Sequence, residues 1–142
     1  MERIIRITED GSPTLFVQEM DEPYHSLHGA IRESRHVFIR QGLLTMQESA
    51  LRILEVGFGT GLNALLTLTE SISLNKDIYY HAVEKYPLNR QEYRPLNYEK
   101  FIDQVPEGAL DRGRGNAFIG SAFADPETKS WMDNVYIAHW KN

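Results

Sequence analysis

The feature that most restricts the fold of this chain is an unbroken succession of strand, glycine turn, helix and strand. Arg52-Ile53-Leu54-Glu55-Val56 is a short apolar run with β-branched residues, and Gly57-Phe58-Gly59-Thr60-Gly61 follows it directly. Leu62–Leu68 is rich in helix formers, with the helical pattern running to about Ser73 and Asn75 suited to end it. Ile78–Val83 is a second strand-like run that ends at Glu84. Such a βαβ unit predicts two parallel strands joined by a right-handed crossover, so the chain is expected to be an α/β protein. The first of the two strands, lacking polar alternation, reads as buried on both faces.

The turn has a chemical logic. Glycines allow a tight reversal without Cβ clashes and let a ligand approach the main chain closely. The first N–H groups of the following helix lack internal partners, and the helix dipole favours negative charge beside them. An acidic residue at the end of the next strand suits ribose hydroxyls, and Glu84 lies 23 residues after Gly61. Three glycines in five residues also suit a plain flexible turn, but the flanking elements and Glu84 favour the binding reading. The spacing is G-x-G-x-G, with Leu62 where the dinucleotide fingerprint G-x-G-x-x-G requires its last glycine, and no G-x-x-x-x-G-K-[ST] phosphate loop occurs. With Glu55 two places upstream, E-x-G-x-G-x-G resembles the turn of S-adenosylmethionine-dependent methyltransferases.

Around this unit the pattern is less regular. Arg3–Thr8 alternates, Glu9–Pro13 contains an Asp-Gly turn signal and Thr14–Val17 resumes with strand formers, which predicts an N-terminal hairpin. Asp21-Glu22-Pro23 breaks the pattern. Helical spacing follows from Ser26, the expected N-cap, with Leu27, Ala30, Ile31, Ser34, Val37 and Phe38 on one stripe and Gly42 as the stop. Beyond Pro87 short helical turns are expected at Asn89–Arg94 and Tyr98–Gln104, a glycine-rich loop over Glu107–Gly120, a short helix from Asp125-Pro126 to about Met132, and a closing strand at Val135–Trp140. The chain thus divides into an N-terminal hairpin and helix (1–50), the βαβ unit (51–105) and an atypical tail (106–142), within a single domain.

Composition narrows the function classes. At 142 residues and 42% hydrophobic, the chain can bury a core of its own. The absence of Cys removes disulfides, zinc ribbons and thiol catalysis, and agrees with a cytoplasmic setting. There is no apolar run of the length a membrane span needs, and the N-terminus lacks the pattern of a signal peptide. A net charge of −5, with the acid spread along the chain, argues against a dedicated nucleic-acid module.

Tyr24-His25-Ser26, Gly29-Ala30, Glu33-Ser34, His36-Val37-Phe38-Ile39 and Gly42-Leu43, followed by Ile53-Leu54-Glu55-Val56-Gly57-Phe58-Gly59-Thr60-Gly61-Leu62-Asn63, resemble the methyltransferase domain of MnmC-type tRNA-modifying enzymes. The GFGTGLN string is far more specific than a generic glycine turn, and the match covers about residues 3 to 98. The resemblance implies a Rossmann-like sheet, here only a partial one preceded by the hairpin and helix, and S-adenosyl-L-methionine as methyl donor. It further implies an aminomethyl-uridine at the tRNA wobble position as acceptor, in the formation of 5-methylaminomethyl-2-thiouridine. Some members carry a C-terminal flavin-dependent oxidoreductase domain, for which this chain has no room. The family's Asp-Ala-Phe-x-Pro-like motif is missing, Ala124-Asp125-Pro126 being only an echo, so the chain is expected to be truncated and short of its catalytic half.

On this reading Gly57, Gly59 and Gly61 cradle the cofactor and Glu84 takes the ribose hydroxyls. Glu55 orients the turn or meets the methionine amine, and Phe58, Thr60 and Asn63 line the loop. Tyr24, Ser26 and Glu33 are weaker candidates for a substrate rim, and the catalytic residues are not assigned. The close spacing of His25, His28 and His36 lacks a further ligand, so no metal is expected. His81 reads as a core or edge residue, Asp125 and Glu127 as helix-end charges, and Trp131, Tyr136 and Trp140 as core aromatics. The alternatives are a non-catalytic binding or assembly module, self-associating through exposed sheet edges, and an oxidoreductase acting on CH-NH donors.

Overall fold

The computed structural model describes residues 1–106, 109, 122–123 and 134–141. The expected glycine-rich loop, the helix after Asp125, and the side chains of Trp131 and Tyr136 lie outside the described residues.

The N-terminal hairpin pairs β1 (Arg3–Ile7) antiparallel with β2 (Pro13–Val17), Arg3 facing Val17 and Ile7 facing Pro13. Strand β2 is buried along its whole length because it lies between β1 and a third, two-residue strand, β3 (Glu22–Pro23). That third strand was not expected, since Asp21-Glu22-Pro23 reads as a break. Asp21 takes a left-handed conformation at φ 53°, which returns the chain alongside β2.

The following helix differs from the expectation in two respects. It begins at Ala30 instead of after Ser26, as α1 (Ala30–Ser34). The reason is visible at its first turn, where the hairpin loop supplies the cap from a distance. Ala30 N donates to Thr8 Oγ1 (3.1 Å), Ile31 N to Ser12 Oγ (3.2 Å) and Arg32 N to Asp10 Oδ2 (2.9 Å). Three orphan donors are thereby satisfied by side chains about twenty residues upstream. Gly29 fits against them because a Cβ there would stand 2.7 Å from Asp10 Oδ2. The helix then widens into a π turn over Arg35–Arg40. The wider turn rotates the buried stripe, so Ile39 points inward while Val37 and Phe38, expected in the core, are exposed.

The βαβ unit forms as expected. Strand β4 (Ala50–Val56) runs parallel to β5 (Asp77–Glu84), with Leu54 facing His81. Between them α2 (Leu62–Leu74) is buried on nearly every side and ends at Asn75, which adopts φ 53°. Its hydroxyl residues satisfy themselves on the helix backbone: Thr67 Oγ1 donates to Asn63 O, Thr69 Oγ1 to Leu66 O and Ser71 Oγ to Leu68 O. Polar side chains can therefore enter the core without leaving a donor unpaired.

The sheet around this unit departs from expectation. Among the described residues β4 pairs only with β5, and its outer face is open, with Leu54 69% and Val56 62% exposed. It is an alternating edge strand, not one buried on both faces. On the other side of β5 lies β7 (Asn134–Trp140), the closing strand, which pairs antiparallel with β5 and with the short β6 (Ala122–Phe123). The order is β4-β5-β7-β6. Trp140 is buried in the core with Tyr80, ring centroids 5.3 Å apart, whereas His81 is exposed. Of the two short helical turns, α3 (Arg90–Tyr93) carries a full capping box from Asn89 and Glu92, and the second shrinks to a 3₁₀ turn at Tyr98–Lys100. The core joins β2, α1, α2, β5 and the Leu96–Ile102 segment into one cluster.

Candidate functional site

All three glycines of the turn adopt the left-handed region: φ is 87° at Gly57, 56° at Gly59 and 78° at Gly61. A chain of backbone bonds explains the path. Gly57 N and Phe58 N both donate to Val83 O (2.8 and 3.2 Å), tying the turn to the end of β5, and Gly61 N donates to Phe58 O (3.0 Å). Helix α2 then starts with Gly61 as N-cap and no side-chain cap, so its first N–H groups face the turn without a local acceptor. A Cβ built on Gly57 would meet no heavy atom within 4 Å. A Cβ on Gly59 would stand 3.3 Å from the Tyr24 ring.

Glu84 sits where the sequence places it, at the end of β5, and its carboxylate is already engaged. Oε2 accepts Gly59 N–H (2.8 Å) and Oε1 accepts Tyr86 N–H (2.8 Å). It therefore shapes the turn directly, while each oxygen retains a lone pair for a further donor.

Glu55 lies beneath the turn. Its Oε1 accepts from Asn63 Nδ2 (2.9 Å) and its Oε2 from the Tyr80 hydroxyl (2.7 Å). Burial pushes this carboxyl up to about 7; the two hydrogen bonds oppose that shift and the negative charge of Glu84 adds to it. Asn63, on the first turn of α2, spends its amide N–H on Glu55, and its Oδ1 is buried with no partner among the described residues. Thr60 is buried and Phe58 half-buried, packed against the core.

The N-terminal sheet forms the wall opposite the turn. Tyr24 lies on Gly59 and accepts at its hydroxyl from Arg3 Nε (2.9 Å). Arg3 also donates to Glu92 Oε1 (2.7 Å) and to the Tyr86 carbonyl (3.2 Å). One guanidinium thus joins β1, the residue after β3 and both segments that follow β5. Among the rim candidates, Tyr24 and Glu33 line the cleft and Ser26 is not among its lining residues. Glu33 is held in place by accepting Ser26 N–H (2.7 Å). Arg3, Tyr80, Tyr86 and Glu92 were missed by the sequence reading. Only the Asn89-x-x-Glu92 capping spacing could have drawn attention to one of them.

These elements enclose a cleft of ≈ 1010 Å³ that reaches from Gly57, Gly59 and Tyr86 to Phe38, Met46 and Leu54. Its lining carries the carboxylates of Glu22, Glu33, Glu55 and Glu84 and, among the described residues, a single cationic side chain, Arg52. Such a field favours a guest with net positive charge and disfavours a pyrophosphate. Among the described residues there is no cluster of three or more His, Asp or Glu side chains that could hold a metal, and no helix is long and apolar enough to cross a membrane.

No protein-family profile matches the chain. It is 30% identical, across 87% of its length, to the tRNA 5-methylaminomethyl-2-thiouridine biosynthesis bifunctional protein MnmC of Marinomonas sp., of which it covers 23%. It is 37% identical, across 53% of its length, to the protein of the same name from Leptospira interrogans, covering 13% of it. The crystal structure of MNMC2 from Aquifex aeolicus superposes with a TM-score of 0.57 at 34% identity, over 75% of this chain and 38% of that one. The chain thus spans less than a quarter of these two curated relatives.

Proposed function

From a chain that is, in sequence and fold, an MnmC-type methyltransferase domain, we propose a protein that binds S-adenosylmethionine at the glycine turn and serves tRNA wobble-uridine modification. The observation that carries this reading is the conjunction at the turn. Three left-handed glycines open onto a cleft whose charged lining is almost wholly acidic. A sulfonium with an adjacent α-ammonium matches that lining, whereas a flavin or nicotinamide dinucleotide would bring two phosphates against Glu55 and Glu84. The oxidoreductase alternative is disfavoured on the same ground.

The residues suit this guest in distinct ways. Gly57, with open space where a Cβ would stand, admits it to the main chain. The uncapped first turn of α2 suits the methionine carboxylate. Asn63 Oδ1, buried and without a partner among the described residues, is an acceptor for an ammonium or hydroxyl, and Glu84 can share its oxygens with ribose hydroxyls. When bound, the donor supplies an activated methyl group. This chain contributes alignment, and exclusion of water by Tyr24 and Phe58. The acceptor would be an aminomethyl-uridine of tRNA in the cytoplasm, entering along the Phe38–Met46–Leu54 end of the cleft.

Calorimetry with S-adenosylhomocysteine tests the reading. The wild type is expected to bind, and Gly59→Val to lose binding, since a branched side chain at φ 56° collides with Tyr24. A folded wild type that takes up no ligand, or a Gly59→Val protein that binds equally well, would overturn it. A second reading, an assembly module, is favoured by one observation. Strand β4 is paired on one side only among the described residues and displays Leu54 and Val56.

A further inference from the structure

Among the residues that line the cleft, His25 has a disposition that neither a metal ligand nor an ordinary surface histidine would show. Its ring lies between β2 and the glycine turn, with Nδ1 3.0 Å from Thr14 Oγ1 and Nε2 3.4 Å from Thr60 Oγ1. Its own backbone N–H donates to the same Thr14 oxygen (3.2 Å). Tyr98 meets the ring edge-on at 6.5 Å and 89° and donates its hydroxyl proton to Pro13 O (2.9 Å).

Two proton arrangements fit these contacts; in one, Thr14 donates to Leu15 O (3.5 Å), Nδ1–H donates to Thr14 and Thr60 donates to Nε2. In the other, Thr14 donates to Nδ1 and Nε2–H donates to Thr60 Oγ1; in both, Tyr98 donates to Pro13 O. Either way the ring bridges Thr14 on β2 to Thr60 in the turn. Burial holds the His25 imidazole neutral by lowering its pKa to about 4, against the opposing charge of Glu33.

We propose that His25 is a positioning residue for the cofactor turn: through its two ring nitrogens it pins Thr60 to strand β2, and with it the left-handed glycines on either side. Glycine-rich segments lose the most conformational freedom on ordering, so an unpinned turn would meet its ligand at an entropic disadvantage. Thr60 is the only residue between Gly59 and Gly61, and its buried hydroxyl is the one side-chain handle there. Of the closely spaced histidines, for which no metal is expected, His25 and His28 are three residues apart. The structure separates their roles, since His28 is exposed and pairs with Glu9 at 3.1 Å. The inference rests on the cofactor reading for its purpose, but its geometry can be tested without ligand.

The test is amide hydrogen exchange on the full chain, combined with S-adenosylhomocysteine calorimetry, for wild type, His25→Phe, His25→Gln and Thr60→Val. His25→Phe and Thr60→Val are expected to speed exchange across residues 59–62 by about tenfold, leaving β5 and the interior of α2 unchanged. His25→Gln, whose amide can reach the place of Nε2, restores much of the protection, which a merely space-filling role would not predict. The double variant His25→Phe/Thr60→Val is expected to be no worse than either single one, and affinity for the ligand should fall in parallel. Protection unchanged at 59–62, or lost evenly throughout, overturns the proposal. Should the wild type bind no ligand, the cofactor reading fails, while the exchange pattern still decides whether His25 pins the turn.

Discussion

Glu55 offers the most quantitative handle on the site. A carboxyl moved from an ordinary 4.5 to about 7 favours the protonated form in the folded protein. The folded state therefore holds more protons than the unfolded state between these values, and stability falls as pH rises. The contribution is fully present below about pH 4.5 and is lost as pH passes through about 7. A shift of roughly 2.5 pH units corresponds to about 3 kcal/mol at most, and partial solvent access to Glu55 reduces this to about 1–3 kcal/mol. Glu55→Gln removes the titration but keeps an acceptor for the Tyr80 hydroxyl, and its amide can donate to Asn63 Oδ1 once the Asn63 amide turns over. Urea unfolding at a series of pH values from about 5 to 9 reads the difference directly. The wild type should lose about 1–3 kcal/mol relative to Glu55→Gln over that interval, the two curves converging at the acid end. Parallel curves would refute the account of a desolvated carboxyl beneath the turn. The same linkage means that a cationic ligand, by favouring ionised Glu55, should release protons on binding near neutral pH. Calorimetry in buffers of different ionisation enthalpy measures that release.

Asp10 behaves with the opposite sign. Its pKa is lowered by bonds from Ser12, Arg32 and Thr8 that outweigh desolvation, so its contribution is present above the ordinary aspartate range and lost on acidification. Asp10→Ala should cost about 1–2 kcal/mol in urea unfolding at neutral pH, because it uncaps α1 at a distance; an unchanged midpoint would refute the long-range cap. Val56→Lys places a charge on the open edge of β4, and sedimentation velocity should show less association than in wild type. A wild type that is monomeric at every concentration would remove the edge as an assembly surface.

How far the fold could be read from the chain depended on whether the determining contacts were local. The β4–turn–α2–β5 succession and the hairpin rest on hydrogen bonds and apolar patterns within about 30 residues, and they appear where the sequence places them. So do Asn75 at the helix end and Asn89 as cap of α3. Ser26 failed as an N-cap because Thr8, Asp10 and Ser12 compete from across the fold, a contact invisible in a window of adjacent residues. Val37 and Phe38 fell outside the core because the π turn adds a residue to the helical period, which periodicity at 3.6 cannot register. Strand β4 reads as buried from its composition, yet burial depends on neighbours that composition does not reveal. At the site, glycines and Glu84 were legible from spacing, whereas Arg3, Tyr80 and His25 act from remote segments.

The self-satisfied hydroxyls of α2 bear on the order in which the molecule assembles. Thr67, Thr69 and Ser71 are modest helix formers, and their bonds to preceding carbonyls add little to autonomous helicity. As an isolated peptide this segment would be largely unwound, so it must acquire its shape from enclosure by the sheet and the N-terminal layer. A small molecule that grips the turn would act as a folding aid for the whole polypeptide, raising yield and melting temperature together.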